Sequence, residues 1–401
     1  MLMRQFFLTA CLMLLVVADA QTGKLAEWSQ AAFERHPERN LAIAEKAMGD
    51  ALNLKSEQWL AGDPNANLKY QTDAIGSDNG YREWEGGIDL PLWWPGQRQR
   101  YRKEAETSLS LAAAMTAAKR LQITGEVRRR LWAVALAEAE RDQAAQSLGI
   151  ARELSHGVSR RVAAGELPRS DSLLAEKSVL AAEDSLQQAD NRLRQQLARF
   201  TSYTGVSGRV EAEPEQAATL SGLSEQHPLL QLAQYQVDKA QTHRDRVRGE
   251  RRTGPSVWLG AKSTRPAIGA DYDDSVGIEL SIPIGTAAHA ALAQAIAGQA
   301  LTESIAARDH VHHELEQELQ QARMDLERTA GAFVRAERQK NLAEESLQLS
   351  RRAFDLGEID LVRLLQAQAD ANQARQGLQL GRLQRDRAIS ILNQALGVLP
   401  Q

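Results

Sequence analysis

The chain has 401 residues, with 48 basic and 52 acidic side chains and a formal net charge of −4. Such a balance leaves no electrostatic footprint for nucleic acid, and a single cysteine, Cys11, excludes a disulfide framework or a thiolate zinc cluster. Aromatic residues make up only 5%, and the 11 prolines and 27 glycines punctuate a sequence rich in Ala, Leu, Gln, Arg and Glu, the composition of long helices rather than of low-complexity disorder.

Residues 1–20 have the layout of a secretory signal peptide. Arg4 precedes an apolar core from Phe6 to Val17, and Ala18-Asp19-Ala20 is a small-x-small cleavage site that would leave Gln21 as the mature start. The core is too short to span a bilayer as a helix. The stretch before Cys11 is also too short for a lipoprotein signal, so lipidation there is not expected. No later apolar run is long enough for a transmembrane helix.

The rest of the chain is one unit written twice. Leu90-Pro91-Leu92 returns as Ile282-Pro283-Ile284, Gly165-Glu166-Leu167 as Gly357-Glu358-Ile359, and Gly205 as Gly397. Each second copy lies 192 residues after the first (283 minus 91, for instance). His36-Pro37 and His227-Pro228 match at one residue less. The period is far too long for a solenoid and reads as an internal duplication: residues 21–205, a polar linker at 206–226, and residues 227–401.

Each unit reads as helix, two strands, very long helix and returning helix. In the first, a helix is expected over Ala26–Leu60. The segments Ala66–Gln71 and Trp84–Leu90 then alternate apolar and polar residues, as do Ser256–Lys262 and Ser275–Ile282 in the second. Gly96–Ala164 lacks proline, and Leu121, Ile123, Val127, Leu131 and Val134 keep helical spacing. A helix of that length is a rod of about 100 Å. The second long helix is expected from Thr286 to Leu356. The returning helices, of about half that length, pair with one half of each rod, and the first helices with the other half.

Period-two strands with one apolar and one polar face suit a transmembrane β-barrel, with lipid outside and water inside. Tyr81, Trp93 and Trp94 sit at strand ends, where interfacial aromatics belong. Four strands are too few to close a barrel, since the smallest have about eight, so several copies must contribute, and three would give twelve strands. The fold class expected is therefore mainly α with a transmembrane β part. The competing reading is a soluble coiled-coil rod or periplasmic adaptor scaffold.

The duplicated segments Ile88-Asp89-Leu90-Pro91-Leu92-Trp93 and Leu280-Ser281-Ile282-Pro283-Ile284-Gly285, with the hairpin tips Arg160–Ala175 and Arg352–Ala367, make the chain resemble the TolC family of outer membrane efflux proteins, nearest to the subgroup serving heavy-metal cation pumps. The resemblance implies a homotrimer in outer-membrane lipid, a periplasmic helical tunnel, a periplasmic adaptor docked at the tips and a proton-driven inner-membrane pump. It implies an exit duct for small molecules or metal cations, with protein secretion through the same fold as the alternative.

Val162, Gly165, Leu167, Phe354, Leu356, Gly357 and Ile359 are the expected adaptor-docking positions. The gate candidates are Asp171, Asp355 and Asp360, with Arg160, Arg352 and Arg363 able to clamp them. Asp309-His310-Val311-His312-His313-Glu314 is the one metal-like run. His310, His313 and Glu314 share a helix face there, although a solvated surface is the favoured reading. No phosphate loop, nucleophile elbow or HExxH motif occurs, so neither catalysis nor a cofactor is expected.

Overall fold

The computed structural model describes residues 23–249, 254–284 and 287–400. The expected signal peptide, Cys11, Gly285 and Thr286 lie outside the described residues.

Two helices open the fold, α1 (Lys24–Arg35) and α2 (Arg39–Glu57). The single helix expected over Ala26–Leu60 is therefore broken, and Pro37 is the reason. A residue before proline is driven out of the helical region, and His36 is extended at φ −76° and ψ 124°. Strands β1 (Asn65–Thr72) and β2 (Arg82–Pro91) follow, then α3 (Gln97–Ala163, 67 residues) and the returning α4 (Arg169–Thr204). The second unit runs α5 (Pro228–Gly249), β3 (Ser256–Arg265), β4 (Asp273–Ser281), α6 (Ala287–Asp355, 69 residues) and α7 (Leu361–Ala395).

At 1.5 Å per residue, α3 and α6 are each about 100 Å long. Both α2 and α4 pack on α3, while α5 and α7 pack on α6; α5 packs equally on α3, and α7 also touches it. One long helix against two stacked short ones is thus the plan of each repeat. Among the described residues no helix is long and apolar enough to cross a membrane.

Three apolar clusters hold the rods together. At mid-height Trp28 and Phe33 of α1 meet Ile123, Val127 and Leu131 of α3 and Phe200 of α4. Trp28 and Phe200 meet edge to face at 5.2 Å. Leu319 and Ala322 of α6 meet Leu392 and Ala395 of α7 in the second cluster, and the third closes the hairpin tips. Residues 206–226 contain neither helix nor strand. They form a packed strap, with Val210 in the first cluster and Ala218 and Leu223 against the second.

The four strands form one antiparallel sheet in the order β1-β2-β3-β4, so β1 and β4 are its free edges. Its register puts the alternating apolar residues on a single face. Ala66, Ile88, Leu259 and Ile278 make one row, and Leu68, Gly86, Ala261 and Val276 the next. Leu68, Val276 and Ile278 are 78%, 89% and 79% exposed. Large apolar side chains stand outward on a sheet that packs nothing against them, which fits a surface meant for lipid. Tyr70 and Trp84 close that face at 4.3 Å between rings.

Candidate functional site at the hairpin tips and the sheet

The two tips are built alike. At the end of α3, Gly165 takes φ +80°; its N–H donates to Val162 O at 3.0 Å and Glu166 N–H donates to Arg161 O at 2.9 Å. At the end of α6, Gly357 takes φ +75°, with Gly357 N–H on Phe354 O at 3.0 Å and Glu358 N–H on Ala353 O at 2.8 Å. Both are Schellman stops, which a left-handed glycine makes possible. A Cβ at either glycine would meet open space within 4 Å, so both backbones are accessible from outside.

The apolar docking candidates divide by position. Phe354 is buried among Val158, Ala175, Leu347, Leu361, Leu364 and Ala371, with Val162, Leu167 and Ile359 packed against them. These four side chains therefore form the tip's own core, which joins the two hairpins, instead of a free contact surface. Leu356 stands out, 75% exposed, beside Gly357. Of the docking candidates, Leu356 and the two glycines thus lie on the outward tip surface.

Of the gate candidates, Asp360 has a different task within the protomer: it caps α7, its carboxylate accepting from Arg363 N–H at 2.9 Å. Pro168 occupies the equivalent place before α4. Arg160 and Asp355 line opposite walls of a groove of about 560 Å³ between the ends of α3 and α6. Among the described residues no ion pair joins Arg160, Arg352 or Arg363 to Asp171, Asp355 or Asp360 inside one protomer. The cation that binds across the tip is Arg161, which the sequence reading passed over. Its guanidinium lies 4.7 Å from the Phe354 ring centroid and its Nε is 3.2 Å from Glu166. No sequence signal pairs these residues, because they come from different repeats.

The histidine run does not converge. His310 pairs with Glu314 at 3.2 Å, His312 lies 3.6 Å from Glu316, and His313 meets Gln317 at 2.8 Å. Each pair is local to one helix turn, and Asp309 is engaged by Arg308 at 2.7 Å. Among the described residues no three metal-ligating groups come together.

The polar face of the sheet carries Asn67, Lys69, Glu83, Glu85, Asp89, Trp258, Lys262 and Glu279. Glu83 is nearly buried between Lys69 at 3.3 Å and Lys262 at 2.7 Å, and accepts from the Tyr81 hydroxyl. Three neighbouring strands are thereby tied together on the polar face.

Residues 63–206 and 219–398 match the family model for outer membrane efflux proteins, and the chain belongs to that family. Membership places it in the outer membrane. No curated protein matches the sequence. Among solved structures it is similar to VceC from Vibrio cholerae, at 14% identity and TM-score 0.72 over 95% of this chain and 98% of that one. It is similar also to CusC, described as forming a transmembrane channel, at 16% identity and TM-score 0.72 over 94% and 92%. The open state of the MtrE channel of Neisseria gonorrhoeae matches at 17% identity and TM-score 0.70 over 93% and 89%.

Proposed function

We propose that the protein is the outer-membrane exit duct of a tripartite efflux system. Three copies close a twelve-stranded barrel by pairing β4 of one protomer with β1 of the next, and their helices continue as a tunnel into the periplasm. The observation that carries this reading is the four-stranded sheet with one lipid-compatible face, one charged face and two free edges. Unpaired edges are not tolerated in a bilayer, so the sheet must be completed by further copies in a closed ring. The similar structures described as channels support the duct reading.

The tips provide the docking end. Two glycine-ended hairpins per protomer give six exposed backbone turns around a threefold ring, available to a periplasmic adaptor. In this reading the driving energy comes from an inner-membrane pump. Small organic molecules or metal cations are the cargo of this reading.

Native mass and location test it. Protein extracted from outer membranes in mild detergent should have three times the mass of one mature chain, and a deletion strain should accumulate a pump substrate. A monomer in the soluble periplasmic fraction would overturn the duct.

A further inference from the structure

One row of the polar face is built differently from the rest. The register aligns Gly87, Gly260 and Gly277 across β2, β3 and β4. Trp258, in the adjacent row on the same face, turns its indole over all three. A Cβ at Gly87 would lie 2.5 Å from the ring and one at Gly277 would lie 3.2 Å away, while one at Gly260 would overlap it. Three positions without side chains therefore let the ring rest against the sheet, with its outer face toward the polar side.

The register partners of Trp258 are Asp89 on β2 and Glu279 on β4. Neither carboxylate has an ion pair among the described residues. The two lysines of this face are engaged farther along the strands: Lys262 by Glu83, and Lys69 by Glu83 and, at 3.8 Å, Glu85. The Trp258 row thus combines a flat indole with two carboxylates that no cation pairs among the described residues. An organic cation over an indole face is attracted by the ring quadrupole, most strongly when partly desolvated, and the flanking carboxylates add Coulombic attraction of the same sign.

We propose that Asp89, Trp258 and Glu279 form a subsite for organic cations, amines or quaternary ammonium ions that carry an apolar group. It lies on the inner wall of the duct, where the strands meet the helices. The subsite rests on the duct reading and gives its cargo a chemical class. A trimer carries three copies of it in a ring.

The test is calorimetric titration of the detergent-extracted trimer with benzyltrimethylammonium, using neutral benzyl alcohol and anionic benzenesulfonate as comparison probes. Wild type should bind the ammonium probe and neither of the others. Trp258→Leu should weaken binding by about 3- to 30-fold, the span of a single cation–π contact, and Trp258→Phe by less. The Asp89→Asn, Glu279→Gln double variant, which keeps shape and the glycine row, should weaken it as well. Equal binding by Trp258→Leu and wild type, or equal binding of benzyl alcohol, would overturn the subsite while leaving the duct intact. If the extracted protein is not a membrane trimer, the duct falls and the subsite with it.

Discussion

Arg128 of α3 and Glu215 of the strap meet in a two-pronged ion pair, Nε to Oε1 at 3.0 Å and Nη2 to Oε2 at 2.6 Å. Their side chains are only 4% and 17% exposed. The remaining guanidinium nitrogen donates to Gln394 at 2.8 Å and Val398 O at 3.1 Å, and Glu215 also accepts from Ser390 at 2.5 Å and Asn393 at 3.2 Å. One buried knot therefore joins the long helix of the first repeat, the linker, and the last helix of the second.

Removing one partner would strand the other charge in that interior. Glu215→Ala should cost about 3–5 kcal/mol, the usual penalty for breaking a buried pair. Replacing both, as Arg128→Met with Glu215→Leu, should recover most of it, because two apolar groups leave no charge unpaired. Thermal unfolding of the purified trimer checks both; a single variant as stable as wild type would show that water reaches the knot.

His227 predicts an acid-sensitive joint. It is buried beside Gly397, its Nδ1 accepts from Leu229 N–H at 3.2 Å, and its Nε2 has no hydrogen-bond partner among the described residues. Burial holds its pKa below the ordinary 6.5. A depressed histidine pKa means the unfolded chain takes up the proton first. Stability is then fully present above pH 6.5 and declines as the pH falls through the lower folded value. Melting temperature should drop between pH 7 and 5, and His227→Asn, which keeps an acceptor for Leu229 but cannot titrate, should flatten that slope. Parallel slopes in the two proteins would count against it.

Much of this architecture was legible in the sequence because it rests on local rules. The Gly165 and Gly357 stops, the period-two strands and the proline-free rods each follow from one backbone preference repeated along the chain. The duplicated histidine–proline pairs were legible as a repeat, and the two histidines do act alike: His36 Nδ1 accepts from Glu38 N–H at 3.3 Å just before α2, as His227 Nδ1 does from Leu229 N–H at 3.2 Å at the start of α5. What was hidden depends on residues brought together from far apart. The break at Pro37 went unread because the apolar pattern continues past it. Phe354, picked as a docking contact, belongs inside because Arg161 and Val158 of the other hairpin cover it. The linker at 206–226 is polar by composition yet packed, since Glu215 finds Arg128 nearly ninety positions away.

Gly87 offers a test of how the sheet accommodates Trp258. The three atoms nearest to a Cβ there all belong to the indole, the closest at 2.5 Å, so Gly87→Ala should destabilise by about 1–3 kcal/mol through overpacking. Combining it with Trp258→Ala removes the obstacle, and the double variant should be more stable than the sum of the single effects predicts. Heat stability of the trimer on a gel reads this directly; strict additivity would mean that the ring does not rest on that glycine.

Gly357 separates docking from folding. Its φ of +75° suits glycine and, next best, asparagine. Gly357→Asn should therefore cost about 1 kcal/mol at most and keep efflux near wild type. Gly357→Trp imposes a larger backbone strain, about 1–2 kcal/mol, yet open space surrounds the glycine, so the indole would project outward without disturbing the Phe354 core. The expected result is a normal trimer in the outer membrane with efflux abolished, because a bulky ring would cover the backbone turn that an adaptor must approach. Leu356→Ala, which trims the exposed apolar neighbour, should lower efflux partway with no loss of trimer. Drug or metal susceptibility of a complemented deletion strain, read beside trimer abundance, distinguishes these outcomes. Wild-type efflux from Gly357→Trp would place the docking surface elsewhere than at the second tip.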